Sequence, residues 1–265
     1  MELIRTARRA GTGNPIFRVP TVASSATAAI AWAAVAAGAL LSGCQKASKA
    51  APVPSGSSLA AASGAAPTTF PPTAIAPRTA ADTRPVLVCF GDSLTAGLGV
   101  DPSASYPADL QRLLDAQGYP YHVLNAGISG NTTKDGLDRI QLILAQHPQI
   151  VVVEFGGNDG LRGLPIQQTQ ANLSSIIAQL QHGGARVALA GITLPPDYGP
   201  DYIRSFNAMY PALARRYHVP LLPFLLRNVY GIPGDMQDDA THPTTQGDLQ
   251  VALNVEALLH PLLRK

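Results

Sequence analysis

The chain has 265 residues, 46% of them hydrophobic and 14% charged, with 19 Lys and Arg against 17 Asp and Glu and a formal charge of +2. That length permits one α/β domain plus extra material, and the basic excess is unevenly placed: residues 85–265 hold 11 Lys and Arg against 15 Asp and Glu, a net charge of −4. A mildly acidic folded part without a Lys/Arg cluster excludes a phosphate-neutralising surface, so no nucleic acid is expected as a partner.

Residues 1–43 read as an export signal. Arg5, Arg8, Arg9 and Arg18 make a cationic start, and residues 21–41 form an uncharged, Ala-rich apolar run. Leu41-Ser42-Gly43-Cys44 resembles the lipobox of bacterial lipoproteins, which implies cleavage before Cys44 and a diacylglyceryl group on its thiol. The expected product is an exported lipoprotein of the periplasm or cell envelope, with the membrane as partner through lipidated Cys44. Several acyl chains on one Cys anchor firmly where a single chain binds marginally. The competing reading keeps 21–41 as a transmembrane anchor, since about 20 apolar residues span a bilayer. Ala, Ser and Thr make this run weakly hydrophobic and weigh against it.

Residues 44–84 are a Pro/Ala/Ser/Thr tract without hydrophobic period and are expected to form a disordered tether. With Cys44 lipidated, the second cysteine, Cys89, is expected to be an unpaired, small buried hydrophobe.

From residue 85 on, short apolar β-rich runs alternate with amphipathic stretches. The strand candidates are 86–90, 121–125, 150–155, 186–190 and 219–224, and the helix candidates 107–117, 134–146, 167–182, 201–217 and 244–262. Ile150-Val151-Val152-Val153 is apolar on both faces, as a parallel sheet covered on both sides requires. The pattern predicts one domain over 85–265: a flavodoxin-like three-layer α/β/α sandwich on a five-stranded parallel sheet. It is expected to be a monomer.

In such sheets the site lies beyond the carboxyl ends of the strands. After the first strand comes Gly91-Asp92-Ser93-Leu94, and after the second Ala126-Gly127-Ile128-Ser129-Gly130-Asn131. After the third comes Gly156-Gly157-Asn158-Asp159, and well after the fifth Asp238-Asp239-Ala240-Thr241-His242-Pro243. A serine hydroxyl attacks only when an imidazole takes its proton and a third group orients that ring. Ser93 and His242 fit the first two roles, with Asp239 or its neighbour Asp238 for the third. Charge developing on an attacked carbonyl oxygen needs N–H donors, and the amides of Ser93 and Gly130 and the side chain of Asn158 could supply an oxyanion hole.

These four blocks resemble, in order and spacing, those of the SGNH hydrolases, also called GDSL esterases. The resemblance covers residues 86–262. Val153-Glu154-Phe155-Gly156-Gly157-Asn158-Asp159-Gly160-Leu161-Arg162-Gly163, Leu194-Pro195-Pro196-Asp197-Tyr198-Gly199 and Met236-Gln237-Asp238-Asp239 look most like the bacterial multifunctional acyl-CoA thioesterase I/protease I/lysophospholipase subgroup. The resemblance implies Ser93 as nucleophile, Asp239 rather than Asp238 and His242 as its partners, and Ser93, Gly130 and Asn158 as oxyanion donors. It implies an acyl-ester or lipid substrate and no cofactor.

Other residues have plainer readings. Asp92 is expected to cap a helix start, and Arg162 to be a solvated loop residue rather than a substrate-binding charge. His122, His147, His182, His218 and His260 have no acidic or nucleophilic partner nearby in sequence and should be structural or solvated. Neither His nor Cys forms a ligand spacing, so no metal is expected. Two further functions stay open: a carbohydrate O-deacetylase of the cell envelope and a non-catalytic binding lipoprotein. The 221–226 run and the Tyr198 loop hint at room for an acyl chain.

Overall fold

Where a run of apolar residues is buried on both faces, it must lie in a sheet with helices above and below. That is the environment of β1 (Val86–Gly91) and, after β2 (His122–Gly127), of β3 (Ile150–Glu154), in which every residue is buried. With β4 (Arg186–Ala190) and β5 (Leu221–Leu222) they form one parallel sheet in the order β2-β1-β3-β4-β5. A computed structural model describes residues 82–265. The expected export signal over 1–43, lipidated Cys44 and nearly all of the tether expected over 44–84 lie outside the described residues.

The helices are α1 (Ser93–Ala96), α2 (Tyr106–Ala116), α3 (Thr133–Asp138), α4 (Ile140–Leu144), α5 (Gly157–Leu161), α6 (Ile166–His182), α7 (Pro200–Tyr217) and α8 (Thr245–Leu259). α2 packs beside α8, while α3, α6 and α7 pack in sequence beside one another. The result is the expected flavodoxin-like three-layer sandwich. Its core runs through the sheet, with Leu87, Phe90, Val152, Phe155, Ile177 and Leu189 fully buried. Cys89 is among these buried residues and is a free thiol, as expected, and burial pushes its pKa up to about 12.

Two expected elements differ, and two short helices were not expected. The run 219–224 yields a strand of only two residues, because Pro220 and Pro223 bracket Leu221–Leu222 and a proline has no N–H for the ladder. The helix expected over 134–146 is broken in two at Arg139, whose backbone (φ −103°, ψ 11°) leaves the helical region. The short helices α1 and α5 open directly at the strand ends, inside segments read as motif loops.

Candidate active site

The strand order places the reversal of the chain between β1 and β3, and ligands bind in the crevice at such a switch point. Ser93 opens α1 after β1, and Asn158 lies in α5 after β3. Asp92 caps α1: its Oδ1 accepts the Leu94 amide at 3.1 Å. α1 then runs only one turn, so Ser93 stands at the rim of the sheet with a half-buried side chain.

His242 reaches Ser93 from the far end of the domain, 149 residues along the chain. Its Nε2 lies 2.8 Å from Ser93 Oγ. Its Nδ1 lies 2.6 Å from Asp239 Oδ2. Asp239 Oδ1 also accepts the backbone amides of Thr241 at 2.9 Å and His242 at 3.0 Å, so the carboxylate both turns the loop and holds the ring. Burial pushes the Asp239 carboxyl up, but the hydrogen bonds from the His242 ring, the His242 amide and the Thr241 amide outweigh it and hold the group at about 2. Asp238 is exposed, and the hydrogen bonds of the ring go to Asp239 and Ser93 instead. The loop is docked by Gln237, whose amide donates to Leu98 O and Pro243 O, both at 2.7 Å, tying the histidine loop to the turn after α1.

The three expected donors are in two states. The Ser93 and Gly130 amides make no hydrogen bond among the described residues. Gly130 has φ +80°, a conformation strained for any residue with a Cβ, and its carbonyl accepts from Arg162 at 2.8 Å. Arg162 is exposed, as read from sequence, and also braces this loop. The Asn158 amide is engaged: Nδ2 donates to Asp92 Oδ2 at 3.1 Å and to Asn131 O at 3.0 Å. Asp159 rivets the same loops, its carboxylate accepting the Thr133 amide at 2.8 Å, the Thr133 hydroxyl at 2.5 Å and the Thr169 hydroxyl at 3.2 Å. Close approach does the rest. A Cβ on Gly127 would lie 2.1 Å from the Ala96 backbone nitrogen, so the β2 loop can abut α1 only with glycine there.

Beneath Ser93 lies a buried acid that the sequence reading did not single out. Glu154 ends β3 with no exposure, and its Oε2 accepts the Asp92 amide at 3.3 Å and the Thr95 hydroxyl at 2.9 Å. Burial, and then the charge of Asp92, push its pKa well above the usual carboxylate range. Asp92 is pushed up by burial as well, but the Leu94 amide, His242 and the Asn158 amide all favour its charged form. Burial therefore favours the neutral form of Glu154. A glutamate closing a run of four buried aliphatic residues was the available signal.

The site opens into a mostly apolar cavity of about 350 Å³ that holds Ser93, Asn158 and His242 on one wall. Leu161, Ile192, Leu194, Pro196, Phe224 and Tyr230 line the rest. Of the sequence hints, Phe224 and Leu226 from the 221–226 run do face it, while Leu222 and Leu225 are core. From the Tyr198 loop, Leu194, Pro195 and Pro196 line the cavity, whereas Tyr198 itself does not; its hydroxyl donates to Leu161 O at 2.8 Å and holds that wall in place.

The other histidines stand away from the cavity. His122 Nδ1 lies 3.0 Å from Asp82, and His260 pairs with Glu256 four residues earlier on the same face, so the expectation of no acidic neighbour fails for His260. His147 and His218 adopt positive φ at helix ends. Among the described residues no group of three or more His, Cys, Asp or Glu side chains is placed to hold a metal ion.

Comparison with known proteins matches residues 89–248 to the model of the GDSL-like lipase/acylhydrolase family. Esterase TesA of Pseudomonas aeruginosa is 46% identical over 178 residues, covering 67% of this chain and 89% of that protein. Thioesterase 1/protease 1/lysophospholipase L1 of Escherichia coli strain K12 is 43% identical over 185 residues, covering 69% of this chain and 86% of that protein. A crystal structure of TesA superposes with a TM-score of 0.65 at 45% identity, covering 67% of this chain and 99% of its own.

Proposed function

Because the chain belongs to the GDSL-like lipase/acylhydrolase family and is a serine hydrolase of acyl esters, we propose that Ser93 is its nucleophile, His242 its general base and Asp239 the group that orients the base. The observation that carries this reading is the chain of short contacts, 2.8 Å from Ser93 to His242 and 2.6 Å from His242 to Asp239, at the wall of an apolar cavity. Ser93 Oγ attacks the acyl carbon as its proton passes to His242 Nε2. The negative charge on the carbonyl oxygen meets the free amides of Ser93 and Gly130. Asn158 joins them by turning one N–H from Asn131 O toward the oxyanion, a bond it can exchange without losing Asp92. His242 then protonates the departing alcohol or thiol, and a water deprotonated by His242 releases the acid from the acyl-enzyme.

The substrates proposed are aryl esters, lysophospholipids and short- to medium-chain esters, with acyl thioesters cleaved by the same steps. A cavity of about 350 Å³ lined by Leu161, Ile192, Leu194 and Phe224 suits an acyl chain and exceeds what an acetyl group needs. The test is hydrolysis of a p-nitrophenyl ester series from acetyl to palmitoyl by the wild type and Ser93→Ala. Loss of activity in the variant supports the serine mechanism. A sharp acetyl preference would favour the O-deacetylase reading, and unchanged hydrolysis in the variant would end the proposal.

We also infer that residues 1–43 direct export and that Cys44 is lipidated, on the strength of the cationic start, the apolar run and Leu41-Ser42-Gly43-Cys44. Metabolic labelling with an alkynyl fatty acid should mark the wild type and not Cys44→Ser. Equal labelling of both would remove the anchor.

A further inference from the structure

The donors of the proposed oxyanion hole come from separate loops, and nothing in covalent connectivity keeps those loops in register. Arg139 sits between them. It occupies the break between α3 and α4, and its guanidinium points inward, beneath the ends of β1 and β2. Nη2 donates to Gly91 O at 2.9 Å, one peptide before Asp92-Ser93. Nη1 donates to Ala126 O at 2.9 Å, where the loop to Gly130 begins. Nε donates to Asn131 Oδ1 at 2.8 Å, and the carbonyl of that same Asn131 accepts from Asn158.

The guanidinium carbon lies 4.5 Å from the centroid of Phe90 and 5.6 Å from that of Phe155, so two aromatic rings complete the enclosure. Among the described residues Arg139 makes no ion pair. A part-buried cation with no ion-pair partner, favoured only by the charge of nearby Asp135, is a costly choice for a fold that needed only a helix break there. What it supplies instead is geometry: a planar fork has fixed donor directions, and here they join three backbone or side-chain oxygens on two loops.

We propose that Arg139 is a positioning residue of the active site, holding the Ser93 turn and the Gly130–Asn131 loop at the separation where the Ser93, Gly130 and Asn158 donors face one oxygen. The inference rests on the assignment of Ser93 and its donors made above. A misplacement of about 1 Å can cost about 10²-fold in rate, which sets the scale of the effect.

The test uses the full chain as wild type, Arg139→Met, Arg139→Lys, Asn131→Ala and Ser93→Ala. Sites are counted by exhaustive labelling of Ser93 with a fluorophosphonate, so that unfolded molecules drop out of the rate. On p-nitrophenyl butyrate, kcat per labelled site should fall about 10²-fold in Arg139→Met, with KM changed less than about threefold. In Arg139→Lys and Asn131→Ala it should fall about tenfold, since lysine reaches fewer of the three acceptors and alanine frees Nε alone. If Arg139→Met does not fold, the other two variants decide the matter. A merely structural arginine would lower the melting temperature and the number of labelled sites while leaving kcat per site unchanged, and that result overturns the proposal. So does a loss confined to KM. Residual hydrolysis in Ser93→Ala would instead undo the site assignment, whereas an inactive Ser93→Ala beside fully active Arg139 variants undoes only the positioning role.

Discussion

Replacing Asp239 by Asn isolates what the carboxylate does. Asp239 Oδ1 accepts two backbone amides and Oδ2 meets His242 Nδ1. In the variant the amide oxygen keeps the backbone bonds, and Nδ2 faces the ring. The ring must then accept at Nδ1 and carry its proton on Nε2, where it points at Ser93 Oγ and can no longer remove the hydroxyl proton. In a buried triad this tautomer reversal costs about 10⁴ in kcat. The Asp239 side chain is 48% exposed, so water screens the charge it offers the imidazolium and leaves an attraction of about 1–4 kcal/mol. We expect kcat on p-nitrophenyl butyrate to fall about 10³-fold, with KM and melting temperature nearly unchanged and with Asp238→Asn indistinguishable from wild type. An Asp239→Asn enzyme that keeps more than a tenth of its activity, or an Asp238→Asn enzyme that loses it, would refute the orienting role.

Three further outcomes follow from the interior. Asp248 is buried against α2 with Oδ1 unpartnered, and burial, then the charge of Asp109, raise its pKa to about 8. The folded state thus holds a proton that the unfolded chain releases near pH 4. Stability should therefore be lost between about pH 4 and 8, and Asp248→Asn should gain at least about 2 kcal/mol over wild type at pH 8 and nothing at pH 4. A pH-independent difference between their urea midpoints would count against it. Glu154→Gln keeps a neutral side chain of the same shape, so kcat should stay within about threefold while Glu154→Ala loses far more. If Gln is as damaging as Ala, Glu154 is not the protonated partner of Asp92. Gly127→Ala places a Cβ within 2.7 Å of the backbone of Thr95 and Ala96, atoms that cannot step aside. Chemical denaturation should register a loss of about 3 kcal/mol, and an unchanged midpoint would mean that the loop yields.

Much of this protein is legible along the chain because local physics writes it there. A strand buried on both faces is apolar along most of its length, so the runs 86–90 and 150–153 declare a covered parallel sheet. The positions where chemistry is possible then follow, since each motif trails a strand. The pairing of Ser93 with a distant His242 was readable only because the four blocks recur together, as no periodicity links residues 149 apart.

What the tertiary structure alone decided are the contacts made by side chains whose local context is ordinary. Arg139 sits in an amphipathic run like any surface arginine, and only the folded loops show three carbonyl-type oxygens converging on it. Arg162 is exposed, as its sequence context suggests, but only the folded loops show it donating to Gly130 O at 2.8 Å. The cavity is assembled from Leu161, Ile192, Phe224 and Tyr230, which belong to three separate segments. Sequence encodes propensity and period, which act over a few residues; packing brings together atoms far apart in the chain, and the donors, braces and walls of this site are of that second kind.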